Sequence, residues 1–317
     1  MKKPASGWTR VLLKARPTPA QIADRLAPPR PDGLELYLDA QDLLDDHIDR
    51  VVEMARTVAT SEDFTWIVEA PIRTIGGEYF DLTRDDADHR ATLDRVIAVG
   101  ARIGAVAANV HLVAPTRAPA SLSLAARREA IERTFSLLDY YVRRCRDHGL
   151  VPQIENVPPV GRMREESFVF SPIGLGPADL LEVATPFGEL FLTVDVSHAA
   201  LYLHWRHTAV ETVEPWLQPV ALHCRTEPAP DDLPGFIQAV AHRILTVHVS
   251  NASGLLGEGL RYREGDENLD SALAPLVGKV PYFVTETLER DPERALGMRE
   301  AQRYLEDLVG RWQNRSR

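Results

Sequence analysis

Short apolar runs and longer mixed segments alternate along this chain from one end to the other. Nearly continuous apolar runs of strand length lie at 9–15, 33–38, 64–70, 105–113, 151–155, 190–195, 244–249 and 282–287. Runs of that kind are the signature of strands buried on both faces. Between them, apolar residues recur at three- and four-residue spacing, as at Leu93, Val96, Ile97 and Val99 within 85–100. The same reading places helices at 19–26, 40–58, 85–100, 122–148, 177–184, 231–242, 269–277 and 292–312. A further helical segment is expected at 208–218, and Val220 to Cys224 reads as an extra strand. Pro19 suits a first helical turn, and Gly149 closes the long helix before the fifth strand. Eight strands alternating with eight helices predict an α/β fold, a single (β/α)8 TIM barrel spanning 1–317. A doubly wound open sheet would want a glycine-rich phosphate loop after the first strand, and Ala15-Arg16-Pro17-Thr18-Pro19 is not one.

The connections are unequal. Those from helix to next strand are short, as at 147–150 and 100–104. Those from strand to next helix are long, as at 71–84, 114–121, 156–176 and 250–268. A barrel that elaborates one face only is building a site there. Four strands end on that face in ligand-type residues: Glu155, Asp195, His248 and Glu286. Singly, each reads as a helix cap or loop anchor. Together they can converge on one divalent cation. Carboxylate oxygens with one imidazole suit Mn²⁺, Mg²⁺, Co²⁺ or Zn²⁺, and the lack of a thiolate argues against a structural zinc site. Such an ion can polarise a carbonyl and stabilise an enediolate, with a neighbouring carboxylate moving a proton.

Composition narrows the reading. The 317 residues carry a formal net charge of −10, which argues against a surface made for nucleic-acid phosphates. Cys145 and Cys224 stand far apart and fit no metal or redox spacing. The start of the chain has charge but no apolar segment after it, and no run approaches a membrane span, so a cytoplasmic protein acting on a small molecule is expected. A homo-oligomer is left open.

The order of Gln153-Ile154-Glu155-Asn156, Val194-Asp195-Val196-Ser197-His198, Val247-His248-Val249-Ser250-Asn251 and Thr285-Glu286 resembles the xylose isomerase-like barrel superfamily. That group holds sugar and sugar-phosphate isomerases and epimerases, and the family 2 AP endonucleases. The stretch from Gly104 to His111, the helix into Asp147-His148-Gly149, and Gly265 to Asp270 as a glycine-containing turn ending in an Asp helix cap resemble it too. The resemblance implies that Glu155, Asp195, His248 and Glu286 are the metal ligands. It implies that Glu155 and Glu286 also remove and return a proton on opposite faces of the substrate. His198, His111 and Asn251 would touch substrate. Glu69 and His111 would serve a second ion if there is one. The endonucleases have a third His where Glu69 stands, and an Asp-x-His pair that does not occur between Asn251 and Asp270.

The reading is therefore a metal-dependent isomerase or epimerase of a sugar, sugar phosphate or related polyol. An endonuclease IV-like phosphodiesterase and a non-catalytic ligand-binding barrel are the alternatives. Arg225, Arg261 and Arg263 lie in loops that could reach the mouth, although each singly reads first as solvated surface. Glu165 to Phe170 would form a lid with an aromatic wall, and His223 and Cys224 are expected to pack.

Overall fold

The computed structural model describes residues 8–58, 63–162 and 167–315. Eight parallel strands close into a barrel: β1 (Arg10–Ala15), β2 (Gly33–Tyr37), β3 (Thr65–Glu69), β4 (Ala107–His111), β5 (Val151–Glu155), β6 (Phe191–Asp195), β7 (Ile244–Val249) and β8 (Tyr282–Thr285). Each pairs with its sequence neighbours, and β8 returns to β1 with Leu12 opposite Val284. The fold is a (β/α)8 barrel, as the alternation predicts.

Period-two alternation sorts the strand side chains. Leu13, Leu34, Leu36, Val68, Val110, Ile154, Val194 and Val247 are fully buried and join the core shared with the surrounding helices. Burying each such side chain contributes about 1.5–3 kcal/mol, so this layer fixes strand register. The intervening residues point into the barrel. Leu12, Ile67, Ala107 and Val284 form an apolar plug. Two residues further along the same strands the interior turns polar, with Lys14, Glu69, Asn109 and Glu286. The plug thus ends where the chemistry begins.

The long loops all leave the polar end. The one after β5 carries a hairpin of Gly161–Arg162 with Phe168–Val169, and the one after β7 carries Asn251–Ser253 with Gly257–Leu260. At the opposite end Gly149 takes φ 77 beyond the helix Leu124–Asp147. That left-handed conformation is cheap only without a Cβ.

Several elements differ from the sequence reading. The segment 220–224 is not a strand: the helix Gln218–His223, with Pro219 in its first turn, covers most of it. Of 208–218, only the 3₁₀ turn Val210–Thr212 and the first residue of that helix are helical. The closing helix starts at Leu296, and 269–277 splits into Leu269–Leu273 and a 3₁₀ turn. A twelve-residue helix, Val196–His207, follows β6 directly. It has no polar stripe, because Ala199, Ala200, Leu201, Tyr202, Leu203 and Trp205 are all buried. A helix buried on nearly every side lacks the amphipathic signature. The cap of Leu269–Leu273 is Asn268 rather than Asp270, whose carboxylate accepts from Tyr262 Oη instead. No helix among the described residues is long and apolar enough to cross a membrane.

Candidate metal centre

Glu155, Asp195, His248 and Glu286 come together at the polar end of the barrel, each offering an atom within 4.8 Å of the others'. Glu155 and His248 are completely buried, Asp195 is 2 % exposed, and Glu286 is half-buried. His248 Nδ1 lies 2.7 Å from Glu286 Oε2 and 3.1 Å from Glu155 Oε1. His111 Nε2 is 3.8 Å from Glu155 Oε1 and 3.8 Å from Glu69 Oε1.

Neighbouring strands fix these side chains. Asn109 Nδ2 donates to Glu155 Oε2, which turns Oε1 toward the centre. Asn156 clamps β5 to β6: its Oδ1 accepts from Asp195 N at 2.8 Å and its Nδ2 donates to Asp195 O at 3.0 Å. Asp195 Oδ1 caps the helix Val196–His207 by accepting from His198 N at 2.8 Å. The strand-end Asp is thus a helix cap with a second oxygen left for another partner. His198 Nδ1 donates to Asn156 O at 2.9 Å, which aims Nε2 at Glu258, 3.6 Å away.

Two buried charged residues complete the centre. Glu35, fully buried on β2, lies 2.8 Å from His248 Nε2. A carboxylate behind an imidazole fixes which nitrogen faces a metal. Lys14 on β1 is 8 % exposed and reaches Glu69 Oε2 at 2.6 Å, Glu286 Oε1 in closer contact, and Glu35 Oε1 at 3.8 Å. Lys14, Glu35 and the loop residue Glu258 escape the motif reading. A signal exists for the first two: a charged residue inside an apolar strand run, in Leu13-Lys14-Ala15 and Leu34-Glu35-Leu36.

The electrostatics are those of carboxylates crowded out of water. Burial pushes Asp195 up to about 6 and raises Glu69 well above the usual range, Lys14 only partly offsetting it. Burial also opposes the charge on Glu155, but His248 and His111 outweigh it and hold that carboxyl well below its usual value. For Glu286 the same desolvation is overcome by Lys14 and His248, to about 2. Burial disfavours imidazolium at His248, yet Glu155, Glu35 and Glu286 raise it well above the ordinary value. His198 is likewise lifted to about 10 against its burial, by Asp195 and Glu258. His111 is lowered, burial winning there.

The donor set fits a divalent ion. Buried anions need a cation partner, and three carboxylates and an imidazole here offer ligand atoms within 4.8 Å of one another. Uptake of an ion requires neutral His248 and ionised Asp195, so it is expected to release protons and to tighten as pH rises. Below about pH 6 both groups contribute, and above it His248 alone, because Asp195 is pushed up to about 6 and His248 well above its ordinary value. Calorimetry in buffers of different ionisation heat checks this, and a buffer-independent heat would contradict it.

Above the centre opens a cavity of about 480 Å³. Lys14, Glu69, His111, Asp195, His198, Glu258 and Glu286 form its polar floor, and Tyr37, Tyr79, Phe80, Phe170 and Leu288 belong to its wall. Of the expected lid, Glu165 and Glu166 lie outside the described residues. Phe170 lines the cavity, and Phe168 packs on Trp216 with ring centroids 5.7 Å apart. Asn251, expected to touch substrate, is not among the residues that line this cavity. It is 1 % exposed, its Nδ2 donates to Tyr262 O and Glu267 O, and its Oδ1 accepts from Ala252 N and Glu267 N. It ties the loop after β7 together, and a Cβ on Gly265 would fall 2.2 Å from its Oδ1. Arg225, Arg261 and Arg263 do not reach the cavity either. Arg225 holds Arg206 O and Thr208 O, Arg261 pairs with Glu264 and Glu300, and Arg263 stacks on Tyr304. The arginines on the cavity wall are Arg16, Arg25 and Arg162. His223 and Cys224 are buried, with His223 Nε2 3.0 Å from Pro172 O.

No known sequence family and no curated protein matches the chain. Solved structures do. A D-tagatose 3-epimerase-like protein superposes with a TM-score of 0.64 at 16 % identity, over 98 % of this chain and 100 % of the other. A xylose isomerase domain protein from Planctomyces limnophilus gives 0.60 at 14 %, over 97 % of this chain and 99 % of the other. Endonuclease IV from Thermus thermophilus gives 0.56 at 13 %, over 94 % of this chain and 99 % of the other. At such identities the likeness is one of architecture, and what it shows is the (β/α)8 barrel fold.

Proposed function

We propose that this protein is a divalent-metal-dependent isomerase or epimerase of a sugar, sugar phosphate or related polyol. One observation carries the reading: four ligand-type side chains from four strands converge under a cavity into which Glu286 and His198 also project. The volume falls in the range of small-molecule sites. The resemblance to a D-tagatose 3-epimerase-like protein agrees with it.

Glu155, Asp195, His248 and Glu286 would hold the ion, with Glu35 orienting His248. A bound divalent ion would polarise the substrate carbonyl and acidify the neighbouring C–H. The residues around it do the rest. Glu286, the most exposed of the three carboxylates, removes the proton from that carbon. Glu155 would return one from the other face. Lys14 against Glu286 Oε1 keeps that carboxylate ionised. His198, held through Nδ1 by Asn156 O, would offer its Nε2–H to a substrate oxygen placed between it and Glu258. His111 is a second contact at the floor. The aromatic wall excludes water from the reacting carbon.

The test is a panel. Protein loaded with Mn²⁺, Co²⁺, Zn²⁺ or Mg²⁺ is incubated with ketoses, aldoses and their phosphates, and followed by NMR. New epimer or isomer resonances that vanish on chelation are expected. An inert panel together with metal-dependent nicking of abasic-site DNA would favour the phosphodiesterase reading. An inert panel with tight, unreacted ligand would favour a binding barrel.

A further inference from the structure

We propose that the ammonium of Lys14 permanently fills the second cation position of this barrel mouth, so that the centre takes one divalent ion and not two. The inference rests on the metal reading above, because it concerns which carboxylates are free to ligate.

Three sets of side chains among the described residues converge closely enough to hold an ion. One is Glu155, Asp195, His248 and Glu286. The others are Glu35, Glu69 and His248, and Glu69, His111 and Glu155. Both alternatives run through Glu69, and Glu69 Oε2 lies 2.6 Å from Lys14 Nζ. The same nitrogen contacts Glu286 Oε1 and stands 3.8 Å from Glu35 Oε1. Three carboxylates therefore surround an ammonium, which is a compact point charge with three donors.

Glu286 shows what this arrangement imitates. Its Oε1 faces Lys14, and its Oε2 faces His248 Nδ1 at 2.7 Å. A carboxylate with one oxygen toward each of two positive centres is how a two-metal site is bridged. Here one of the two centres is attached to the chain. Strand pairing fixes where its stem begins, Lys14 lying opposite Glu35 across β1 and β2, and burial with the three carboxylate contacts holds the ammonium itself. Glu35 and Glu69 are 0 % and 1 % exposed, so neither can shed its charge into solvent. Remove the ammonium, and these buried carboxyls must either take up a proton or accept another cation, and the mouth already offers the ligand sets for the cation.

The experiment counts ions. Metal-free wild type, Lys14→Ala and Lys14→Arg are titrated with Mn²⁺, with bound metal measured by elemental analysis after desalting and free Mn²⁺ by EPR. Thermal midpoints are recorded at each equivalent. The expected result is about one ion in wild type and in Lys14→Arg, and about two in Lys14→Ala. The second equivalent should raise the midpoint of Lys14→Ala and leave wild type unmoved, a rescue that loss of simple packing would not give. A folded Lys14→Ala holding a single ion overturns the inference while leaving the metal reading intact. Two ions in wild type overturn it even if neither variant folds. No ion in wild type removes both.

Discussion

Glu286→Gln should lose at least about 10²–10⁴-fold in turnover, measured with metal restored by excess. That is the usual worth of general acid–base catalysis, or about 3–5 kcal/mol of barrier at about 1.36 kcal/mol per tenfold. Gln keeps an oxygen for ligation and has no basic site, so KM should move much less than kcat. Glu286 is half-buried and lines the cavity, whereas Glu155 is fully covered by its neighbours. The larger loss is accordingly expected at Glu286. Equal turnover in wild type and Glu286→Gln would remove it from the reaction.

His248→Ala should abolish tight metal binding, and Asp195→Ala should do the same. The histidine substitution has a second cost. His248 is the positive partner that faces Glu35, Glu155 and Glu286 at 2.8, 3.1 and 2.7 Å. Removing one partner of a buried pair costs about 3–5 kcal/mol, because uncompensated charge stays behind. The apo variant should therefore melt lower than apo wild type, and added Mn²⁺ should not restore it. Glu35→Gln should be milder: with the imidazole less firmly oriented, metal affinity is expected to drop about 10–100-fold. Metal content unchanged in both His248→Ala and Asp195→Ala would sink the ligand set.

Much of this centre was legible in the chain because strand ends and apolar runs are strong signals. Glu155, Asp195, His248 and Glu286 each close such a run, and in a barrel all strands end at one mouth. What escaped was of two kinds. The helix Val196–His207 is buried on nearly every side, so it has no stripe to betray it. Lys14 and Glu35 stand inside apolar runs, where a charged residue reads as an interruption. Only with closure does it become clear that every second residue points inward, two steps past the apolar plug of Leu12, Ile67, Ala107 and Val284. The loops misled for a different reason. Asn251 and the arginines at 225, 261 and 263 have chemistry suited to substrate, but partners within the protein had already taken it.

The most direct test of the central claim is isotopic. Metal-loaded protein, its chelated form and Glu286→Gln are incubated in D₂O with the substrate the panel identifies, and solvent deuterium at the carbon beside the carbonyl is read by NMR. Proton removal by a metal-assisted carboxylate requires deuterium at that carbon in the loaded wild type, and none above background in the other two. Epimerisation or isomerisation without any deuterium uptake, or exchange that continues unchanged after chelation, would contradict it.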